Sequence, residues 1–361
     1  MFNRHKKFLT TLLLLLSMFL FWQAPTTSQA AVKASKLPNR QGILIDLGRH
    51  PLTEKSVKSV IQAARDQKLN YVVLHLSDNE HLSFQSTYLG NKASKKVLSK
   101  AALKRLVTFA KKKHIQLVPD VDAPSHAGAI LRQLKKKRPT TYKKVKMDSH
   151  TLDYTKKQSI TVVQKIYGEL DTIFKKQSLR DFILGADEVP GSPEAYKSLT
   201  TFINELNRFQ NKRGFTTTVW NDSILKSELP RIAKNIVVNY WSQAGNRSDK
   251  KTLTNRRTHR VAVKNLVSAK RRIVNANSYA TYYQLKYIGN KTDDNYFINY
   301  LRNRYKPTMF NEITAKNQNN NRTMQPKVKT KGTLVSLWGH DSSHISTKAI
   351  VKFIHRIKIP K

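Results

Sequence analysis

Eight short apolar runs, each followed by an amphipathic or polar stretch, limit most strongly how this chain of 361 residues can fold. They occupy 42–50, 70–78, 116–124, 181–188, 216–222, 236–242, 272–278 and 333–339. Several are nearly unbroken in Val, Ile and Leu, as expected of strands covered on both faces in a parallel sheet. Between them Val57, Val60, Ile61 and Ala64 follow the i, i+3, i+4, i+7 spacing of a helix with one apolar face. Leu103, Leu106, Val107 and Ala110 repeat it, as do Leu199, Phe202, Ile203 and Leu206. Strand–helix alternation repeated eight times predicts a (β/α)8 TIM barrel, class α/β, as one domain over 41–361. The polar, Asn- and Lys-rich stretches 245–270 and 317–331 read as loops or irregular insertions.

The first thirty residues read as a secretory signal. Arg4, Lys6 and Lys7 precede an apolar run, and Ser28-Gln29-Ala30 supplies small residues before a cleavage point after Ala30. A polar lead, 31–40, follows. The alternative is an uncleaved membrane anchor, for which the run is short against the ~20 residues of a spanning helix. The chain is thus expected to be secreted and extracellular. It holds no cysteine, so disulfides, thiol nucleophiles and thiolate metal sites are excluded, and stability has to come from core burial. There are 66 Lys and Arg against 23 Asp and Glu, a formal charge of +43. A surface of that kind concentrates polyanions in a salt-dependent way; for an exported protein the candidates are anionic cell-wall polymers, anionic lipid or extracellular DNA, with the wall polymers the expected partner. No nucleic-acid-reading motif accompanies the charge, so specific nucleic-acid binding is not expected.

The residues that end the eight runs carry the functional signal. In order they are Arg49, Asp78, Asp122, Asp187-Glu188, Trp220, Trp241, Ser278 and Trp338. In a barrel these ends converge on one face, where active sites are built. A single Trp there is more often packing than a ligand platform, but the set combines aromatic walls with a few charged groups, which suits a sugar. Retaining glycosidases usually hold two carboxyls about 5–5.5 Å apart on opposite faces of the sugar. Sequence neighbours such as Asp187 and Glu188 diverge and cannot easily do that. One can still donate a proton while the other contacts another part of the sugar, an arrangement suited to a 2-acetamido oxygen acting as nucleophile.

Ile43 to His50, His75-Leu76-Ser77-Asp78, Leu117 to His126, Gly185-Ala186-Asp187-Glu188, Val219 to Asp222, Asn239 to Ser242, Asn277-Ser278-Tyr279 and Ser336 to Gly339 together resemble glycoside hydrolase family 20, the β-N-acetylhexosaminidases. The resemblance spans nearly all of the chain beyond the signal. It implies Glu188 as general acid/base and Asp187 as the group that orients the acetamide and stabilises an oxazolinium intermediate; family 20 is a named exception to the two-carboxylate scheme. It implies Arg49 on the O3 and O4 hydroxyls, and Trp220, Trp241 and Trp338 as walls. Tyr282 would bond the acetamide oxygen, with Tyr279 the alternative. Asp78 and His126 would support Glu188, whose donor role calls for a raised pKa. No metal or other cofactor is implied.

Three positions depart from the family pattern. Ala186 stands where a second glycine is usual, and Ser125 replaces the glycine of a Pro-Gly-His turn. His340 replaces a Glu that binds hydroxyls at the far side of the sugar; a neutral imidazole offers one acceptor and no charge, and Asp341 is a candidate substitute. The motifs most resemble members that degrade β-1,6-linked poly-N-acetylglucosamine, implying a biofilm or cell-surface polysaccharide as substrate. The expected protein is a monomeric, retaining β-N-acetylhexosaminidase. The contrasting reading, drawn from His340 and the surface charge, is a non-catalytic cell-wall- or glycan-binding protein on a hexosaminidase-like barrel.

Overall fold

The computed structural model describes residues 40–360 except Pro193. The expected signal, 1–30, and all but the last residue of the polar lead lie outside the described residues. In chain order the strands are β1 (Arg40–Asp46), β2 (Tyr71–Ser77), β3 (Gln116–Ala123), β4 (Asp181–Gly185), β5 (Thr216–Trp220), β6 (Val237–Tyr240), β7 (Arg272–Asn275), β8 (Tyr282–Gln284), β9 (Met309–Ile313), β10 (Asn319–Met324) and β11 (Gly332–Trp338). The helices are α1 (Glu54–Asp66), α2 (Lys100–Lys112), α3 (Gly128–Lys137), α4 (Pro139–Val145), α5 (Lys157–Phe174), α6 (Ala195–Lys212), α7 (Lys250–His259), α8 (Val263–Ser268), α9 (Ser278–Thr281), α10 (Lys291–Asn303) and α11 (Thr347–Ile354). Among the described residues no helix is long and apolar enough to cross a membrane.

Strands β1 to β7 pair in sequence order, all parallel, and β11 joins β7 to β1 to close an eight-stranded (β/α)8 barrel. Side chains alternate across each strand. Leu44, Val73, Val118, Ile183, Val274 and Leu334 point inward, with Trp220, Trp241 and Trp338 above them. Ile43, Ile45, Val72, Leu74, Leu117 and Val335 point outward and meet the helices. The helical faces are those the spacing predicts: Val57, Val60, Ile61 and Ala64 are buried on α1, and Leu103, Leu106, Val107 and Ala110 on α2. Thr53 and Ser99 cap these helices by accepting backbone N–H groups.

Two segments read as loops are ordered. Residues 245–270 contain α7 and α8, and 317–331 contain β10, which pairs antiparallel with β9. Helix α7 hid because Leu253 is its one buried residue, so it has no apolar period to detect; Asp249 still caps it through Thr252 N–H. Strand β10 is entirely polar up to Met324 and is held by its ladder to β9. The three-residue β8 was also missed. It pairs with β11 beyond the point where β7 stops, with Ser336 opposite Tyr282 and Trp338 opposite Gln284. That insertion brings Tyr282 into the barrel mouth.

Asp171 on α5 is buried, with Arg213 Nε 3.2 Å from its carboxylate. Burial outweighs Gln210 and that guanidinium, and pushes the carboxyl up to about 7. An unfolded Asp ionises near 3.9, so folding favours the protonated form. The associated stability is complete below the unfolded value and is lost as pH rises through about 7. Asp171→Asn should therefore stabilise the protein more at pH 8 than at pH 5 in urea or thermal melts; equal effects would contradict this ionisation.

Candidate active site

The C-terminal mouth of the barrel encloses a cavity of about 330 Å³. Arg49, Asp78, Asn79, Glu80 and His126 line one side and Asp187, Glu188 and Asn246 another. Trp241, Tyr282 and Trp338 form an aromatic wall, with Gln284 and His340 at its edge. The Trp241 and Tyr282 rings lie nearly parallel, 12° apart with centroids 6.1 Å apart, and Trp338 stands 5.5 Å from Tyr282 at 66°.

The acid pair sits on a sharp turn that β4 feeds. Gly185 has φ +90, and a Cβ there would lie 2.5 Å from Asp122 Oδ1, so glycine is needed both for conformation and for space. Ala186 and Glu188 follow at φ +62 and +46, left-handed values that cost non-glycine residues of order 1 kcal/mol or more. The turn is held from several directions. Ser125 Oγ donates to the Asp187 carbonyl, and Asp222 and Ser223 accept the backbone N–H groups of Glu188 and Val189 at 3.0 and 3.1 Å. The usual glycine at position 186 thus has a physical reason, and this chain bears the added strain.

Beneath Glu188 a chain of charges crosses the barrel. Asp120 and Asp78 flank His75 at 2.9 and 3.0 Å, and Arg49 meets Asp46 at 2.8 Å and Asp78 at 2.6 Å. His126 lies 3.5 Å from Asp78, 3.6 Å from Glu188 and 3.9 Å from Asp187. Burial alone would neutralise both histidines, but Asp120 and Asp78 around His75, and Asp78 and Glu188 around His126, raise both well above the ordinary value. Burial would likewise raise Asp78, yet His126 and His75 hold it far below the carboxylate range. Asp122, with burial and Asp120 both opposing its charge, is pushed up to about 8.

The two acids of the pair are driven apart. Burial, then Asp222, raises Asp187 well above its ordinary value. His126 lowers Glu188 despite partial burial, aided by Arg260 and Arg256, and Asn246 donates to its Oε1 at 2.9 Å. The raised Glu188 pKa expected from sequence is therefore not found in the open site, where cations face it and its side chain is 42 % exposed. Separated pKa values are the signature of an acid–base division of labour.

Two triads, His75–Asp78–Asp122 and Asp122–His126–Asp187, place potential metal donors within 4.8 Å of one another. The first is already charge-balanced: both ring nitrogens of His75 face carboxylates, and Asp78 also meets Arg49. The second contains Asp122, whose ionisation is strongly disfavoured, whereas a metal requires it deprotonated.

The glycosyl hydrolase family 20 catalytic domain matches residues 40–351. The chain belongs to this family. Dispersin B is a similar solved structure, with TM-score 0.80, 27% identity, and coverage of 88% of this chain and 97% of that one. The chitooligosaccharidolytic β-N-acetylglucosaminidase of Ostrinia furnacalis is 27% identical over 194 residues, covering 50% of this chain and 32% of the insect protein. The β-hexosaminidase subunit beta of Sus scrofa is 23% identical over 228 residues, covering 60% and 41%. The chain thus spans less than half the length of these two relatives.

Of the residues singled out from sequence, Arg49, Asp78, His126, Asp187, Glu188, Trp241, Tyr282, Trp338 and His340 all reach the cavity. Trp220 does not line it: it is 1% exposed and packs below Trp338, ring centroids 6.3 Å apart, as a floor for the wall. Tyr279 turns outward and hydrogen-bonds Tyr296 at 2.7 Å, leaving Tyr282 at the pocket. Asp341 is 82 % exposed, pairs with Lys286 and leaves the lining to Glu80 and His340. His340 Nδ1 faces Gln284 Oε1 at 3.3 Å, and burial, then Arg49, lowers its pKa, so it presents a neutral ring.

The sequence reading gave no role to Asp46, His75, Asp120 or Asp222. Counting by two along each strand from inward Leu44, Val73 and Val118 reaches Asp46, His75 and Asp120, so the alternation did contain the first three. Because His126 is the main influence lowering Glu188, His126→Ala should raise the Glu188 pKa. Its carboxyl resonance in a 13C NMR titration should move to higher pH, and an unmoved resonance would rule out this coupling.

Proposed function

We propose that the protein is a retaining β-N-acetylhexosaminidase that uses the 2-acetamido group of its own substrate as nucleophile. The observation that carries this reading is the adjacent Asp187–Glu188 pair facing a pocket whose other wall is Trp241, Tyr282 and Trp338. Arg49, held by Asp46 and Asp78, would grip hydroxyls of the terminal sugar with its planar fork. The aromatic wall would fold the acetamide under the ring, with the Tyr282 hydroxyl on its oxygen. Asp187 would accept the acetamide N–H and stabilise the oxazolinium; the positive charge developing there favours its ionised form. Glu188 would protonate the leaving oxygen and then activate water. Covering its exposed carboxylate with substrate removes water, which favours the protonated form that the open site disfavours.

We further propose β-1,6-linked poly-N-acetylglucosamine of a biofilm or cell surface as substrate, which likeness to dispersin B supports. The protein would act outside the cell after export, held on anionic wall polymers. Exposed Lys111, Lys112, Lys135, Lys136, Lys137, Lys143 and Lys144 on and beside α2 to α4 support the last point. The pocket lining holds four carboxyl groups, Asp78, Glu80, Asp187 and Glu188, against the Arg49 guanidinium and the His126 ring, so the bulk charge does not describe it. Intact acids with their histidine relay favour catalysis over a purely binding role.

A chromogenic β-N-acetylglucosaminide should be hydrolysed, and Glu188→Gln should lower kcat by about 10²–10⁴-fold. Wild-type turnover by that variant would sink the assignment. Product analysis on β-1,6, β-1,4 and β-1,3 N-acetylglucosamine oligomers should show preference for the β-1,6 series. Retention on anionic wall polymer should weaken with added salt; salt-insensitive retention would remove the electrostatic tether.

A further inference from the structure

Just beyond β5, the fully buried carboxylate of Asp222 touches three parts of the pocket at once. Its Oδ2 accepts the backbone N–H of Glu188 at 3.0 Å, and its Oδ1 accepts the indole N–H of Trp241 at 3.1 Å. The Arg260 guanidinium, delivered by the end of α7, stands 3.8 Å from Oδ2. These contacts come from the segments following β4, β6 and α7, so one side chain ties together three separate parts of the chain.

The held parts are the ones that need holding. Glu188 has left-handed φ, so its backbone N–H points away from any strand ladder and finds Asp222 instead. Trp241 is the wall residue that stacks on Tyr282, and its indole N–H has to find an acceptor once buried. Both carboxylate oxygens of Asp222 accept hydrogen bonds, and the Arg260 guanidinium stands beside them in a buried setting. Arg260 is itself mostly buried, and its Nη1 has no hydrogen-bond partner among the described residues, leaving Asp222 as the charge it serves.

We infer that Asp222 is a positioning residue that fixes Glu188 and the Trp241 wall relative to each other, with Arg260 as its buried counter-ion. The inference deepens the hexosaminidase reading and rests on it for its kinetic consequences. Proton donor and acetamide pocket have to keep one distance, since the leaving oxygen and the acetamide belong to a single sugar. Misplacement by about 1 Å costs on the order of 100-fold in rate. The charged or titratable groups around Glu188 and Asp222 are Asp187 on the same turn, Asp122 and His126 from β3 and its following turn, Tyr196 from α6, Arg256 and Arg260 from α7 and its end, and Tyr282 from β8.

Asp222→Asn keeps the size but has to turn an NH2 toward one of the two N–H donors. In the full-length protein, kcat on a chromogenic N-acetylglucosaminide should fall about 10- to 100-fold while KM changes by less than about three-fold. The Trp241 indole N–H resonance, identified through its loss in Trp241→Phe, should shift and exchange faster with solvent. Arg260→Gln leaves both Asp222 hydrogen bonds in place but removes a cation near Glu188. The basic limb of its pH–kcat profile should move to higher pH, because activity needs protonated Glu188; a merely structural role would leave that limb where it is. A folded Asp222→Asn protein with wild-type kcat and an unmoved indole resonance would overturn the inference. If that variant fails to fold, an unmoved limb in Arg260→Gln overturns it. Should the wild type cleave no N-acetylhexosaminide, the hexosaminidase reading fails, and the indole resonance alone decides whether Asp222 holds the wall.

Discussion

The buried carboxylate of Asp78 is the point on which the site depends. A lone ionised carboxylate in a barrel interior is costly unless its oxygens are fully engaged. Arg49, His75 and His126 all approach its Oδ2, and the three come from different strand ends. Through Arg49 it fixes the guanidinium proposed to bind the sugar; through His126 it reaches the acid pair. Its full engagement makes the network rigid, and neutralising or removing any member would disturb both ends together.

The relay also explains why two adjacent acids can differ. Asp187 turns toward Asp222 and the protein interior, where burial resists its charge, while Glu188 turns toward His126, Asn246 and the arginines of α7. Divergence of neighbouring side chains at a strand end turns one sequence dipeptide into two electrostatic environments. The same divergence argues for a nucleophile supplied by the substrate.

Most of the barrel was legible because apolar runs and amphipathic helices advertise themselves. All eight barrel strands and the buried faces of α1, α2 and α6 follow from residue spacing. What escaped were elements that bury little or are very short: α7 with one buried leucine, polar β10, and β8 with three residues. These losses matter, since α7 brings Arg256 and Arg260 toward the acids and β8 carries Tyr282. Strand-end position picked out Arg49, Asp78, Asp187, Glu188, Trp241 and Trp338, and the family resemblance added His126, Tyr282 and His340; all nine line the cavity. Strand-end position failed for Trp220, because a strand end does not say whether a side chain stops inside the barrel or reaches its mouth. Glu188's lowered pKa was beyond reach for another reason: it depends on distances to cations that sequence order does not give.

The central claim is that the acetamide of the substrate does the work of a missing second carboxylate. The most direct measurement is kcat/KM on aryl β-glucosaminides whose N-acyl group runs from acetyl through mono-, di- and trifluoroacetyl. Each fluorine withdraws electrons from the acyl oxygen while changing its shape little. Participation predicts a steep, continuous fall in kcat/KM along the series, together with a first-formed product of β configuration. A flat series, or an α product, would contradict it.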